Sequence, residues 1–263
     1  VQFLHQLVSS QLDTDRLDYL KRDSFFTGVS EGVIGSERII KMLTVHNGNL
    51  AVEAKGIYSL EKFLIARRLM YWQVYLHKTV VSAEYLLMNI LLRAKELIAN
   101  GEELDASDSL RFLLKNEEAF DVSDSDVWLK HFLKLDDFDV LYSMKQWIDS
   151  EDKLISDMCK RLINRQLLKV KILDRPLADD QLNDLREKAA KKLNYGINDM
   201  SYLVFQNSLS NRAYSSGDES INILYKDGSS KDISEAASIF RFSSLEASES
   251  KHFVYFPEEI SFQ

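Results

Sequence analysis

Two prolines in 263 residues, Pro176 and Pro257, leave the first two thirds of this chain with almost nothing that forces a helix to end. Apolar residues recur with helical period from Leu12 to about Leu173. The pattern predicts helices over about 12–26, 36–43, 58–99, 107–115, 124–134, 137–147 and 150–166. Ser59 and Ser123 are the expected N-caps of two of them, and Asn100-Gly101 the stop of the long one. After Arg175-Pro176 the composition shifts. One more amphipathic helix, Asp179–Leu193, precedes short strands at Tyr202–Phe205, Ile221–Tyr225 and Phe253–Phe256, set among Ser, Asn, Asp and Gly. Tyr225-Lys226-Asp227-Gly228 reads as the turn of a hairpin between Ile221–Tyr225 and Ser230–Ile233. The expected fold is therefore mainly α, with a helical part over 1–175 and a small α+β lobe over 176–263.

Composition narrows the function classes. A chain of this length with 45% hydrophobic residues buries a sizeable core. A formal charge of −8 and a pI near 5.3 oppose broad nucleic-acid affinity and leave room only for local basic clusters that hold a nucleotide. The single cysteine, Cys159, excludes an intrachain disulfide and reads as a small buried apolar residue in a reducing cytoplasm. No apolar run approaches the ~20 residues of a membrane span, and no secretory signal opens the chain, so a cytoplasmic location is expected. The acidic run Asp121–Asp126 lacks the Gly turn and terminal Glu of a calcium loop and reads as helix capping.

The polar pattern of the first predicted helix is the functional clue. Asp15, Tyr19 and Asp23 recur at i, i+4 and i+8, which aligns two carboxylates and a phenol on one face while Leu12, Leu17 and Leu20 pack the rest. Such a row is a poor core, because each polar group needs a buried partner, and a good lining for a cation and a sugar or base. A solvated helix face is the alternative. Arg67, Tyr71 and Tyr75 repeat the spacing; the fork of Arg67 suits phosphate oxygens, and an aromatic stripe in a core is the competing explanation.

These segments carry a resemblance. SSQLDTDRLDYLKRDSFFTGV (Ser9–Val29) resembles the downstream signature of the HD-domain phosphohydrolase superfamily, and within it the dGTPase-like branch of deoxynucleoside triphosphate triphosphohydrolases. IYSLEKFLIARRLMYWQVYLHKTV (Ile57–Val80) is similar to the same branch, and KRLINRQLLKVK (Lys160–Lys171) more weakly so. The resemblance implies an HD-domain helical bundle and a divalent metal held by a His, a His-Asp dipeptide and a distant Asp. Here His5, His46, His77, His131 and His252 are none of them followed by Asp. The chain is thus expected to begin inside a longer parent, downstream of those ligands, and to be inactive without them.

By motif position Asp15 matches the last metal ligand, with Mg, Mn, Fe and Zn not distinguished. Asp13 is better explained as a partner for the helix start and Asp18 as a structural acid. The resemblance places Arg16 on substrate phosphates, Tyr19 and Asp23 near the sugar, and Tyr75 against the 2′ carbon, where it excludes a ribonucleotide. Tyr71 stands where some relatives have histidine. Arg38, Lys55, His77, Lys78, Arg165 and Lys169 match positions where relatives bind an effector nucleotide between subunits, which implies a homo-oligomer, tetramer or dimer. The implied activity is hydrolysis of a deoxynucleoside triphosphate to deoxynucleoside and triphosphate. The alternatives are an HD phosphohydrolase acting on another nucleotide or phosphoester, and a nucleotide-binding regulatory protein without catalysis.

Overall fold

The computed structural model describes residues 2–116, 125–211, 214, 220–236 and 249–262. In chain order the elements are α1 (Gln2–Val8), α2 (Thr14–Thr27), α3 (Ser36–Met42), β1 (Leu43–His46), β2 (Asn49–Glu53), α4 (Ile57–Met70), α5 (Lys78–Ala99), α6 (Asp108–Lys115), α7 (Ser125–Phe132), α8 (Asp137–Trp147), α9 (Lys153–Ile163), β3 (Lys169–Leu173), α10 (Asp179–Leu193), β4 (Phe205–Asn211), β5 (Asn222–Leu224), β6 (Ser230–Asp232), α11 (Ile233–Ala236) and β7 (Glu249–Phe256). The chain is mainly α with small sheets, as expected. It divides into two compact units, one within Val1–His77 and Ser208–Lys251, the other within Lys78–Asn207 and His252–Gln263. The segment after Pro176 contributes to both.

The first unit is organised around α2 and α4. Asp13 caps α2 by accepting from the Arg16 backbone N–H at 2.7 Å, and Gly28 ends the helix at φ +73°. Leu17 and Leu20 of α2 and Leu60, Phe63, Leu64 and Met70 of α4 are buried in one cluster with Ile39, Val52, Ile223 and Ile233. Beside them lies a sheet of order β1-β2-β5-β6, in which β1 and β2 are antiparallel, β2 and β5 parallel, and β5 and β6 antiparallel. The β5–β6 hairpin turns at Tyr225–Gly228 as anticipated, with Gly228 at φ +84°.

The second unit packs α5 against α9, α6 and β3, and α8 against α9. Val81, Leu86, Ile90, Ala94, Trp147, Leu154, Ile155 and Met158 are all buried there. Cys159 is fully buried among them, and burial pushes its thiol up to about 12. A second sheet has the order β3-β7-β4, with β3 antiparallel to β7 from Lys169↔Phe256 to Leu173↔His252. Among the described residues no helix is long and apolar enough to cross a membrane.

Several expectations need correction. The predicted helix over 58–99 is two helices: α4 stops at Met70, Tyr71–Tyr75 form a π turn in which the Leu76 N–H reaches the Tyr71 carbonyl at 2.6 Å, and α5 starts at Lys78. Apolar residues continue on both sides of the break, so the periodicity conceals it. Ser59 lies inside α4, which begins at Ile57 with Gly56 as its N-cap. Tyr202 belongs to a 3-10 turn, and the strand starts at Phe205. The β1–β2 hairpin was not expected, although its Asn47-Gly48 turn, with φ +50° and +77°, has the sequence that a two-residue hairpin demands. Strand β3 was also missed. Asn100-Gly101 does close α5, with Gly101 at φ +89° and the Glu102 N–H returning to the Leu97 carbonyl at 3.0 Å. Ser123 and most of the acidic run from Asp121 lie outside the described residues.

Gly32 tests how tightly α2 and α4 are held. A Cβ placed there would stand 2.8 Å from the Leu20 carbonyl oxygen, 2.7 Å from Ser24 Cβ and 2.9 Å from Met70 Sδ. Backbone cannot yield as a side-chain tip does, so Gly32→Ala is expected to cost about 1–3 kcal/mol. At Gly35 the nearest atom would be Arg38 Cβ at 4.0 Å. The Gly35→Ala variant should stay within about 0.5 kcal/mol of the parent. Urea midpoints of the two variants measure the difference.

Candidate functional site

The face of α2 that carries Asp15, Tyr19 and Asp23 meets the end of α4 and the π turn. The Tyr75 hydroxyl donates to Asp23 Oδ2 at 2.8 Å, joining residues 52 positions apart. Tyr19 packs edge-on to Tyr75 with ring centroids 5.8 Å apart, and Tyr71 does the same at 5.2 Å. Arg67, in the last turn of α4, holds its guanidinium carbon 5.8 Å from the Tyr71 ring centre. Five of the seven residues singled out for metal and substrate therefore touch one another: Tyr19, Asp23, Arg67, Tyr71 and Tyr75.

The electrostatics of this group are unusual. Burial, then the neighbouring Tyr71, pushes the Tyr19 phenol up to about 12, while Arg67 and Arg16 pull the other way. Burial also raises Tyr75, followed by the hydrogen bond it donates to Asp23. Both phenols are neutral donors at neutral pH. Arg67 Nε and Nη1 are shielded from solvent and have no hydrogen-bond partner among the described residues. The contrast with other sheltered arginines is plain: Arg93 is paired with Asp152 at 2.6 Å and Glu96 at 2.7 Å, and Arg161 with Glu259 at 2.7 Å and Asp157 at 2.9 Å. Arg67 has tyrosines where those have carboxylates.

Two further residues singled out from the sequence stand apart from the tyrosine group. Arg16 binds the Asp13 carboxylate and the Ser10 carbonyl, so it serves the start of α2. Asp15 is exposed. Among the described residues no three His, Cys, Asp or Glu side chains converge as a metal site. Asp15 alone does not suffice to hold a catalytic ion. Asp18 is exposed and paired with Arg22 at 3.2 Å.

The basic set divides. In the second unit Lys78, Arg165 and Lys169 line one cavity of about 310 Å³ together with Glu258, which lies 3.3 Å from Lys169 Nζ. In the first unit Arg38 donates to the Lys55 carbonyl at 3.3 Å, while Lys55 Nζ pairs with Glu53 at 2.7 Å. His77 follows the π turn, its N–H donating to the Val74 carbonyl at 3.3 Å. A cavity of about 720 Å³ in the second unit is lined by Glu102, Glu103, Asp105, Asp149, Glu151 and Asp152, a wall that repels phosphates.

Sequence reasoning missed two contacts, one on the last turn of α4 and one on the π turn. Asn211 Nδ2 donates to the Arg68 carbonyl at 3.5 Å, and Lys251 Nζ stands 4.1 Å from the centre of the Trp72 ring. Neither residue lies in a motif, and their distance in sequence from the turn gives no local signal.

Comparison with known proteins relates the chain to one family model and to several named relatives. Residues 34–119 match the family described as HD associated region. The chain is 46% identical to a phosphohydrolase from Bacteroides thetaiotaomicron of known crystal structure, superposing with a TM-score of 0.90 over 97% of this chain and 64% of that one. It is 32% identical to the uncharacterized protein YwfO of Bacillus subtilis, over 97% of this chain and 57% of the relative. It is 26% identical, over 39% of this chain and 20% of the relative, to a Dictyostelium discoideum protein named deoxynucleoside triphosphate triphosphohydrolase SAMHD1 homolog. The chain thus spans less than two thirds of the bacterial relatives. Together the HD associated region and these named relatives support a place for the chain in the HD phosphohydrolase superfamily.

Proposed function

We propose that this chain supplies the sugar- and phosphate-contacting wall of an HD-type phosphohydrolase that converts a deoxynucleoside triphosphate to deoxynucleoside and triphosphate. One observation carries the proposal: the sheltered Arg67 guanidinium, with two donors unpartnered among the described residues, stands 5.8 Å from the Tyr71 ring centre, at one end of a run of contacts that passes through Tyr75 to Asp23. An uncompensated sheltered charge costs on the order of a few kcal/mol, which a bidentate phosphate recovers. The tyrosines then provide the sugar wall. Tyr75, held by Asp23, presents ring carbon where a 2′-hydroxyl would need a hydrogen-bond partner, and Asp23 keeps an acceptor oxygen for a sugar hydroxyl. The Dictyostelium relative's name points to the same substrate class. In this reading Asp15 is one ligand of a divalent ion whose other ligands lie elsewhere. The Lys78, Arg165 and Lys169 cavity is the effector site of a homo-oligomer, with Arg38, Lys55 and His77 as further candidates.

The polypeptide of residues 1–263 is expected to bind deoxynucleoside triphosphates without turning them over. Calorimetry should show Arg67→Ala weakening that binding about tenfold or more, the loss of a charged hydrogen-bonded pair. Unchanged affinity would remove the main support for the phosphate role. In an active parent enzyme, Tyr75→Ala is expected to lower the ratio of kcat/KM for deoxy- over ribonucleotide. Equal losses on both substrates would assign Tyr75 to packing alone. Reversing the charge of Arg165 and Lys169 should abolish any nucleotide-induced shift in sedimentation while leaving the folded protomer intact.

A further inference from the structure

The π turn is the least self-sufficient part of the site. A hydrogen bond spanning five residues, Leu76 N–H to Tyr71 carbonyl, is a rare geometry that persists where its surroundings over-determine it. Two outside contacts do so here. Asn211 is buried, at 6% exposure, and places its amide on the Arg68 carbonyl, one turn before the π turn begins. A buried amide is retained only where it finds a partner. Lys251 lays its ammonium over the face of Trp72, inside the turn. Asn211 ends β4 and Lys251 belongs to β7, and these strands are neighbours in one sheet. The turn is therefore gripped at its entrance and at its second residue by a single piece of β-structure, 143 positions away in the case of Asn211.

We propose that Asn211 and Lys251 are positioning residues that hold Tyr71–Tyr75 in the π register, and through it hold Tyr75 on Asp23. Reverting the turn to 3.6 residues would rotate the Tyr75 side chain about the helix axis and away from Asp23. The proposal rests on the proposed function only for its consequence on turnover; the geometric claim stands on its own. Asn211→Leu and Lys251→Gln should each raise amide exchange over residues 71–77 about tenfold or more. Each should also return the Tyr19 phenol from about 12 toward the ordinary value near 10, followed by tyrosinate absorbance. Ile223→Val and Ile223→Ala, at a fully buried position of the same core, bracket the loss of overall stability and should move neither readout. Exchange and titration unchanged in both test variants, or moved equally by the Ile223 variants, would overturn the proposal. If Asn211→Leu does not fold, Lys251→Gln decides alone. Neither readout needs a nucleotide, so a parent protein that binds no deoxynucleotide would refute the function proposed above and not the role of these two residues.

Discussion

The buried stripe of α4 is the constraint on which the first unit depends. Leu60, Phe63, Leu64 and Met70 are each at 0% exposure, and burying side chains of this size is worth about 1.5–3 kcal/mol apiece. With Leu17 and Leu20 of α2 on the same cluster, α4 cannot roll about its axis without exposing part of that stripe. Arg67 follows Phe63 by four residues and Leu64 by three, so it sits at the margin of the apolar face. Its stem is packed and its charged end sheltered for that reason. The core thus sets the electrostatic condition of the site, and the π turn that follows carries Tyr71 and Tyr75 to α2.

The unmatched state of Arg67 gains meaning from the two arginines that are matched. Arg93 and Arg161 each hold two carboxylates, which is how this protein settles a sheltered guanidinium when the purpose is structural. At the candidate site the neighbours are phenols, which solvate a cation weakly and leave it available. Tyr19 and Tyr75, whose phenols burial raises further above neutrality, carry no charge that would repel a polyanion or neutralise the arginine.

Legibility differed with the range of the interaction that decides each element. Local signals read well: α10 runs over Asp179–Leu193 as its amphipathic pattern predicts, and Gly228 turns the β5–β6 hairpin. The common face of Asp15, Tyr19 and Asp23 followed from helical spacing alone. The pairing of Arg16 with Asp13 is equally local, three residues apart at a helix start. The Asn47-Gly48 turn carries a local signal too, but it is short and set between segments of helical periodicity. The π turn is a different matter. It inserts into an unbroken apolar pattern, and what holds it comes from Asn211 and Lys251, which no window around residue 71 contains. The meeting of Tyr75 with Asp23 depends on that turn, so spacing along two helices could nominate the residues without showing that they touch.

The discontinuity of the first unit has a consequence during synthesis. Ile221, Ile223 and Ile233 complete the core around α4, and β5 covers the edge of β2, yet they follow His77 by well over a hundred residues. At ribosomal rates of about 5–20 residues per second, the interval is on the order of ten seconds. Throughout it, the apolar face of α4 and the open edge of β2 have been made and their partners have not. The nascent chain therefore passes through a long window in which a sticky surface and an unpaired strand coexist, and its yield in a cell depends on what shields them meanwhile.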